Sequence, residues 1–264
     1  MQRRFFKAPS GAVVTAIMDG ETPSSLVAQA RGAEFDGAQG IAISLDKLKP
    51  EFRNVESFKG IMSGVNLPFM FFFYRNDKWK TDESDESRQI VLLAAAEAGA
   101  AMIDVMGDLY DPSPRERTLN PDAIAKQKAL IAHMHEKGAE VVMSSHVKEP
   151  MTSREVLEQL KDFEARGADV VKIVTPINTD DEFTESVRTT MLLHRELKVP
   201  FIHLGSGPFA RIQRFLGPAL GASITFAVHR YDESNPMFQP SVRAMRNVFD
   251  NYHWNIESIE RPEA

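Results

Sequence analysis

The chain has 264 residues, 43% hydrophobic and 26% charged, the composition of an ordinary globular protein rather than a disordered or fibrous one. Lysine and arginine total 31 against 37 acids, a net charge of −6 that supplies no general drive towards nucleic acid or an anionic membrane. There are no cysteines, which excludes thiolate catalysis, disulfides and cysteine-ligated metals, and no stretch approaches the ~18 uninterrupted apolar residues of a membrane span.

The amino-terminal MQRRFFKAPSG is basic but lacks the apolar core of a signal peptide, so a cytoplasmic protein is expected. Strand-like and helix-like patterns then alternate. AVVTAIM (12–18), GIAIS (40–44) and PFMFFFY (68–74) read as the first three strands. SDESRQIVLLAAAEAG (84–99) reads as a helix capped by Ser84 and stopped by Gly99. MIDV (102–105) is a fourth strand, followed by a helix over 120–138 with Asn120 as cap, Pro121 in the first turn and Gly138 as stop. EVVMSSH (140–146) is the fifth strand, and TSREVLEQLKDFEARG (152–167) a helix opened by Thr152 or Ser153 and closed by Gly167. DVVKIVTP (169–176), PFIHLG (200–205) and SITFAV (223–228) complete the strands, with helices expected over 179–197, 208–217 and 240–252.

Mostly apolar strands without strict alternation suit parallel strands covered on both faces. Eight such units in this length predict a (β/α)8 barrel, and with no linker, repeat or low-complexity run the expectation is one domain over 1–264. An open doubly wound sheet would need a topological switch and a Gly-rich first turn. The first strand instead runs into MDGETPSS.

Barrel active sites lie at the carboxyl ends of the strands. That gives meaning to Lys172, an ammonium inside the apolar run GADVVKIVTP (167–176). A desolvated lysine loses ammonium character and becomes a nucleophile for carbonyls, forming a Schiff base. His146 ends the neighbouring strand, and an imidazole suits proton transfer near neutrality. The plainer alternatives are a strand lysine that snorkels to solvent and a strand-end histidine satisfied by its neighbours. HLGSGPFAR (203–211) offers backbone amides at a helix start together with Arg211, a candidate anion site, or else a simple turn with an exposed arginine. His133, His135 and His194 lie on helices without metal-ligand spacing, so neither a metal nor another cofactor is expected.

These segments resemble type I 3-dehydroquinate dehydratase, a family of (β/α)8 Schiff-base lyases. Its Met-Ser-x-His segment is matched by MSSH (143–146) and its Gly-Ala-Asp-x-x-Lys-Ile segment by GADVVKI (167–173). Its Gly-x-x-Ser-Arg turn and the motif after it are matched by GPFAR (207–211) and GPALGASITF (217–226), and its closing loop by SNPMFQ (234–239). The resemblance implies that Lys172 forms the Schiff base and His146 moves the protons. It implies further that Arg211 pairs with a substrate carboxylate, with Gln239 and Ser234 closing over it and Phe226 forming an apolar wall. His203 and Arg75 complete the expected substrate-binding set. It also implies a homodimer acting on a small carbonyl acid.

The first half departs from the family. Its Glu-Trp-Arg triplet on the second strand is Ala42, Ile43 and Ser44 here, and its Ile-Asp-x-Glu on the fourth is IDVM, ending at Met106. In its Arg-x-x-x-Glu-Gly-Gly loop, strict spacing puts Tyr74 at the arginine and Lys78 at the glutamate; a one-residue shift restores Arg75 and leaves Asp77 as the nearby acid. A site without hydroxyl-reading groups prefers hydroxylated substrates less strongly. Three readings therefore stand: dehydration of 3-dehydroquinate, a Schiff-base aldolase or dehydratase for another keto acid or sugar, and a non-catalytic carboxylate-binding barrel.

Overall fold

A computed structural model describes residues 5, 12–75, 83–231, 239–252, 254 and 256–258. Its strands are β1 (Val13–Asp19), β2 (Gly40–Ser44), β3 (Phe69–Phe72), β4 (Met102–Met106), β5 (Glu140–His146), β6 (Val170–Pro176), β7 (Phe201–Ser206) and β8 (Ile224–Ala227). They alternate with α1 (Pro23–Phe35), α2 (Val55–Met62), α3 (Asp85–Glu97), α4 (Pro121–Glu136), α5 (Ser153–Ala165), α6 (Asp180–Glu196), α7 (Ala210–Ala219) and α8 (Val242–Asn251).

Local chemistry accounts for the boundaries. The side chains of Thr22, Asn54, Ser84, Asn120, Thr152, Thr179 and Ser241 each accept a hydrogen bond from an otherwise unpaired amide of the first helical turn. Thr152 rather than Ser153 caps α5, and Glu155 bonds back to it in a capping box. Gly99, Gly138 and Gly167 terminate their helices at φ 102°, 85° and 101°, where a side chain would be strained. The two helices that the sequence patterns do not announce are α1 and α2. The first buries only Leu26, Ala30 and Ala33, a stripe of mostly small residues, and the second has only eight residues.

All strands pair in parallel, in the order β7-β6-β5-β4-β3-β2-β1-β8, to give the expected (β/α)8 barrel. Side chains alternate across the strands. Ala42, Met70, Phe72, Val170, Leu204 and Phe226 pack inside, while Ile43, Phe71, Met143 and Ile173 pack outward under the helices. The β7–β8 seam is the incomplete part. At its foot, the Ser223 amide donates to Phe201 O (2.9 Å) and the Phe201 amide to Ser223 Oγ (3.3 Å). Higher up, buried side chains of α7 bond the β7 backbone. Gln213 accepts from the Gly205 amide (2.8 Å) and donates to His203 O (3.0 Å), and Arg214 donates to Gly205 O (3.2 Å). Among the described residues, no helix is long and apolar enough to cross a membrane.

Candidate active site

At the carboxyl end of the barrel, β4, β5 and β6, the chain just beyond β3 and the β4–α4 loop bring six functional groups together. Lys172 lies at an inward position of β6, in register with Ser144 on β5, and is 3% exposed. Its Nζ is 2.8 Å from His146 Nε2 and donates to the Tyr74 hydroxyl at 2.9 Å. Behind the histidine, one carboxylate oxygen of Glu116 accepts both the His146 backbone N–H (2.7 Å) and its Nδ1–H (3.1 Å). A carboxylate only accepts, so the imidazole proton belongs on Nδ1 and the Nε2 lone pair faces the lysine. On the other side, Tyr74 donates to Asp104 Oδ2 and Ser144 to Asp104 Oδ1, each at 2.5 Å.

The charges follow from this packing. Burial pushes the Lys172 amine below the ordinary lysine range; Asp104 and Glu116 pull it back up, and Arg214 adds to the depression. Burial also lowers the His146 imidazole, helped by the Lys172 charge and opposed by Glu116. Burial alone would raise Glu116, but the hydrogen bonds and charge of His146, with Lys172 behind, hold it below the usual carboxylate range. Burial, then the Asp104 charge, raises the Tyr74 phenol well above its usual value, so it stays protonated. Burial thus favours the neutral forms of both groups, and an amine in that form beside an imidazole with a free Nε2 lone pair is a nucleophile paired with a base.

The loop between β4 and α4 is what delivers Glu116. That residue adopts φ 47°, a left-handed conformation rare for a side chain of this kind. Arg166, just past α5 and 3% exposed, pins the loop. Its guanidinium donates to Gly107 O (2.9 Å), Gln127 Oε1 (2.8 Å) and Thr118 O (2.7 Å), and pairs with Asp162. Gly107 has no room for a Cβ, which would come within 2.6 Å of Glu116 O.

The sequence pattern of type I 3-dehydroquinase matches residues 14–255, nearly the whole chain. The chain belongs to the type I 3-dehydroquinase family. It is 33% identical over 128 residues to the 3-dehydroquinate dehydratase of Alkaliphilus oremlandii, a match spanning 48% of this chain and about half (49%) of that relative. Identity is 24% over 243 residues to the Klebsiella pneumoniae 3-dehydroquinate dehydratase, covering 88% of this chain and 89% of that one. The fold is similar to a solved Clostridium difficile type I 3-dehydroquinate dehydratase carrying covalently modified comenic acid, with TM-score 0.79, 16% identity and 95% of each chain covered.

Against the motifs of type I 3-dehydroquinases, the structure joins some expected residues and separates others. Lys172 and His146 meet, and Phe226 lines the barrel interior. Gln239 is half-buried, and its side-chain oxygen is buried without a hydrogen-bond partner. Ser234, Asp77 and Lys78 lie outside the described residues. Three expected residues lie apart from the cluster. Tyr74 points inward, so the next residue, Arg75, points away; it is bound to Asp85 (2.9 Å) and to Asp108 (2.9 and 2.8 Å), not to the cluster. His203 alternates outward from Ile202 and bonds Thr190 on α6 (2.9 Å), with burial lowering its imidazole to about 4. Arg211 is exposed on the first turn of α7 and reaches Tyr231 (3.4 Å). One turn on, Arg214 takes the buried face and carries its charge to Lys172.

Glu116, Asp104, Ser144 and Arg214 are site groups to which sequence reasoning gives no role, and Tyr74 stands out there only as the residue at the family's arginine position. A helix-phase count could have found Arg214, which shares its face with Ala210, Gln213 and Gly217. No periodic signal marks Glu116, which lies in the irregular run DLYDPSPRERTLN (108–120).

Proposed function

We propose that this chain is a hydro-lyase that converts 3-dehydroquinate to 3-dehydroshikimate and water through a Schiff base on Lys172. The observation that carries the proposal is the 2.8 Å contact of Lys172 Nζ with His146 Nε2, inside a chain of this family. The Lys172 amine adds to the substrate ketone, and the resulting carbinolamine loses water to give an iminium. The iminium acidifies the adjacent carbon, and His146 Nε2 takes that proton while the C–H electron pair forms an enamine. The enamine pushes out the β-hydroxyl, which leaves as water with the proton from His146. Hydrolysis of the product iminium returns the amine. Glu116 holds the imidazole in the required tautomer and offsets its positive charge, the task that the family's loop glutamate would have. Arg214, rather than Arg211, is the guanidinium suited to the substrate carboxylate, and the unpartnered oxygen of Gln239 suits a substrate hydroxyl. Cytoplasmic location and a homodimer belong to the same proposal; sedimentation equilibrium checks the dimer.

A second reading keeps the lysine chemistry and changes the substrate to another keto acid or sugar. It is favoured by the inward positions Ala42 and Phe72, which offer no hydroxyl partner, and by Ser44, whose hydroxyl is bound to Asp46. Purified protein with saturating 3-dehydroquinate should generate an ultraviolet-absorbing enone, and Lys172→Met should lose at least ~10³-fold in rate. Absence of product from the unmodified chain refutes the dehydroquinate reading. Borohydride trapping of a different ketone on Lys172 would then establish the second one, and carboxylate binding indifferent to Lys172→Met the non-catalytic barrel.

A further inference from the structure

We propose that the Tyr74 hydroxyl, together with that of Ser144, insulates Lys172 from Asp104, so that the lysine sits at ion-pair range of a capped carboxylate without a direct hydrogen bond to it. Lys172 Nζ is 3.8 Å from Asp104 Oδ2, whereas the phenol oxygen is 2.9 Å from Nζ and 2.5 Å from that same carboxylate oxygen. The hydroxyl therefore stands between the two charges.

Proton accounting fixes its direction. The phenol has one proton and the carboxylate can only accept, so that proton goes to Asp104 and the phenol oxygen is left to accept from Nζ. Ser144 occupies the other carboxylate oxygen in the same way. Both atoms of a buried charge, 2% exposed, are thereby hydrogen-bonded to neutral donors. Without them the carboxylate would seek the nearest cation, which is Lys172, and a buried direct pair holds a lysine in its ammonium form. An ammonium has no lone pair with which to attack a ketone.

The other groups facing Lys172 do not perform this task. Glu116 is tied to His146, His146 presents an acceptor, and Arg214 contributes a like charge. The remaining inward neighbours, Val170, Val174, Ile202 and Leu204, are apolar. Tyr74 also stands where the family motif has arginine on strict spacing, so the insulating phenol is a property of this chain's own sequence. Burial keeps it un-ionised.

The inference rests on Lys172 being the nucleophile of the proposed reaction, but its test needs no substrate. Trace labelling with acetic anhydride across pH 6–10, read by mass spectrometry on the Lys172 peptide against exposed Lys161, gives the titration midpoint of the amine. In Tyr74→Phe, which keeps the ring and removes the hydroxyl, the midpoint should rise by about one pH unit, so that about 10-fold less amine is present at pH 7. Ser144→Ala should shift it the same way by a smaller amount, and it decides alone if the first variant does not fold. Midpoints that stay put or fall overturn the proposal and leave the dehydration assay untouched. A rise in a chain that does not dehydrate 3-dehydroquinate supports the insulation and refutes the substrate.

Discussion

At the scale of single residues, the site depends on which carboxylate serves which base. Lys172 and His146 stand out in the sequence because an ammonium in an apolar strand and a histidine at a strand end are costly unless used. Glu116 does not, since its place depends on the path of a loop rather than on a period. Its contribution can be separated from its charge. Glu116→Gln keeps an acceptor for His146 Nδ1 but cannot offset an imidazolium, and kcat should fall roughly 10- to 100-fold with KM nearly unchanged. Glu116→Gly relieves a left-handed residue but leaves the His146 N–H and Nδ1–H without their acceptor, so it should give no net gain in thermal stability while costing at least as much rate. A stability gain with full activity would show that the carboxylate does nothing for the histidine.

At the scale of elements, most strands and caps were legible because each combines a local signal with a burial demand. In contrast, α1 and α2 carry weak or short stripes and are specified by the barrel around them. The β4–α4 loop is the element on which the site leans hardest. Its conformation is held from outside the barrel by Arg166, whose four partners lie on Gly107, Thr118, Gln127 and Asp162. Arg166→Met would remove the guanidinium donor to Thr118 O and Gln127 Oε1 and leave Asp162 to Arg117 alone, and should destabilise the fold by about 3 kcal/mol in urea titration. Because Glu116 rides on that loop, kcat should fall too, under conditions where the variant is fully folded. An unaltered kcat in folded Arg166→Met would mean that the loop keeps its shape without this anchor. Lysine at 166 would not substitute, having no planar fork to span several acceptors.

At the scale of the whole molecule, the barrel was readable from the count and order of its apolar runs, whereas the way it closes was not. The proton-moving groups lie on neighbouring strands β4, β5 and β6 and on the chain just after β3, inside an unbroken hydrogen-bonded ladder. Arg214 and Phe226 belong to the opposite side, next to the β7–β8 seam. Beyond the Ser223–Phe201 backbone bond at its foot, that seam is bridged through α7, where the Arg214 guanidinium donates to Gly205 O on β7 and the Arg214 carbonyl accepts from Thr225 Oγ1 on β8; we propose the same guanidinium for a substrate carboxylate. Filling the site should therefore tighten the closure of the barrel itself, a coupling between occupancy and architecture. Amide hydrogen exchange offers a direct view. Amides of Gly205 and β8 should exchange at least ~10-fold faster than those of β5 in the free protein, and slow towards them when 3-dehydroshikimate is bound. Equal rates with and without ligand would show the seam to be indifferent to what the barrel holds.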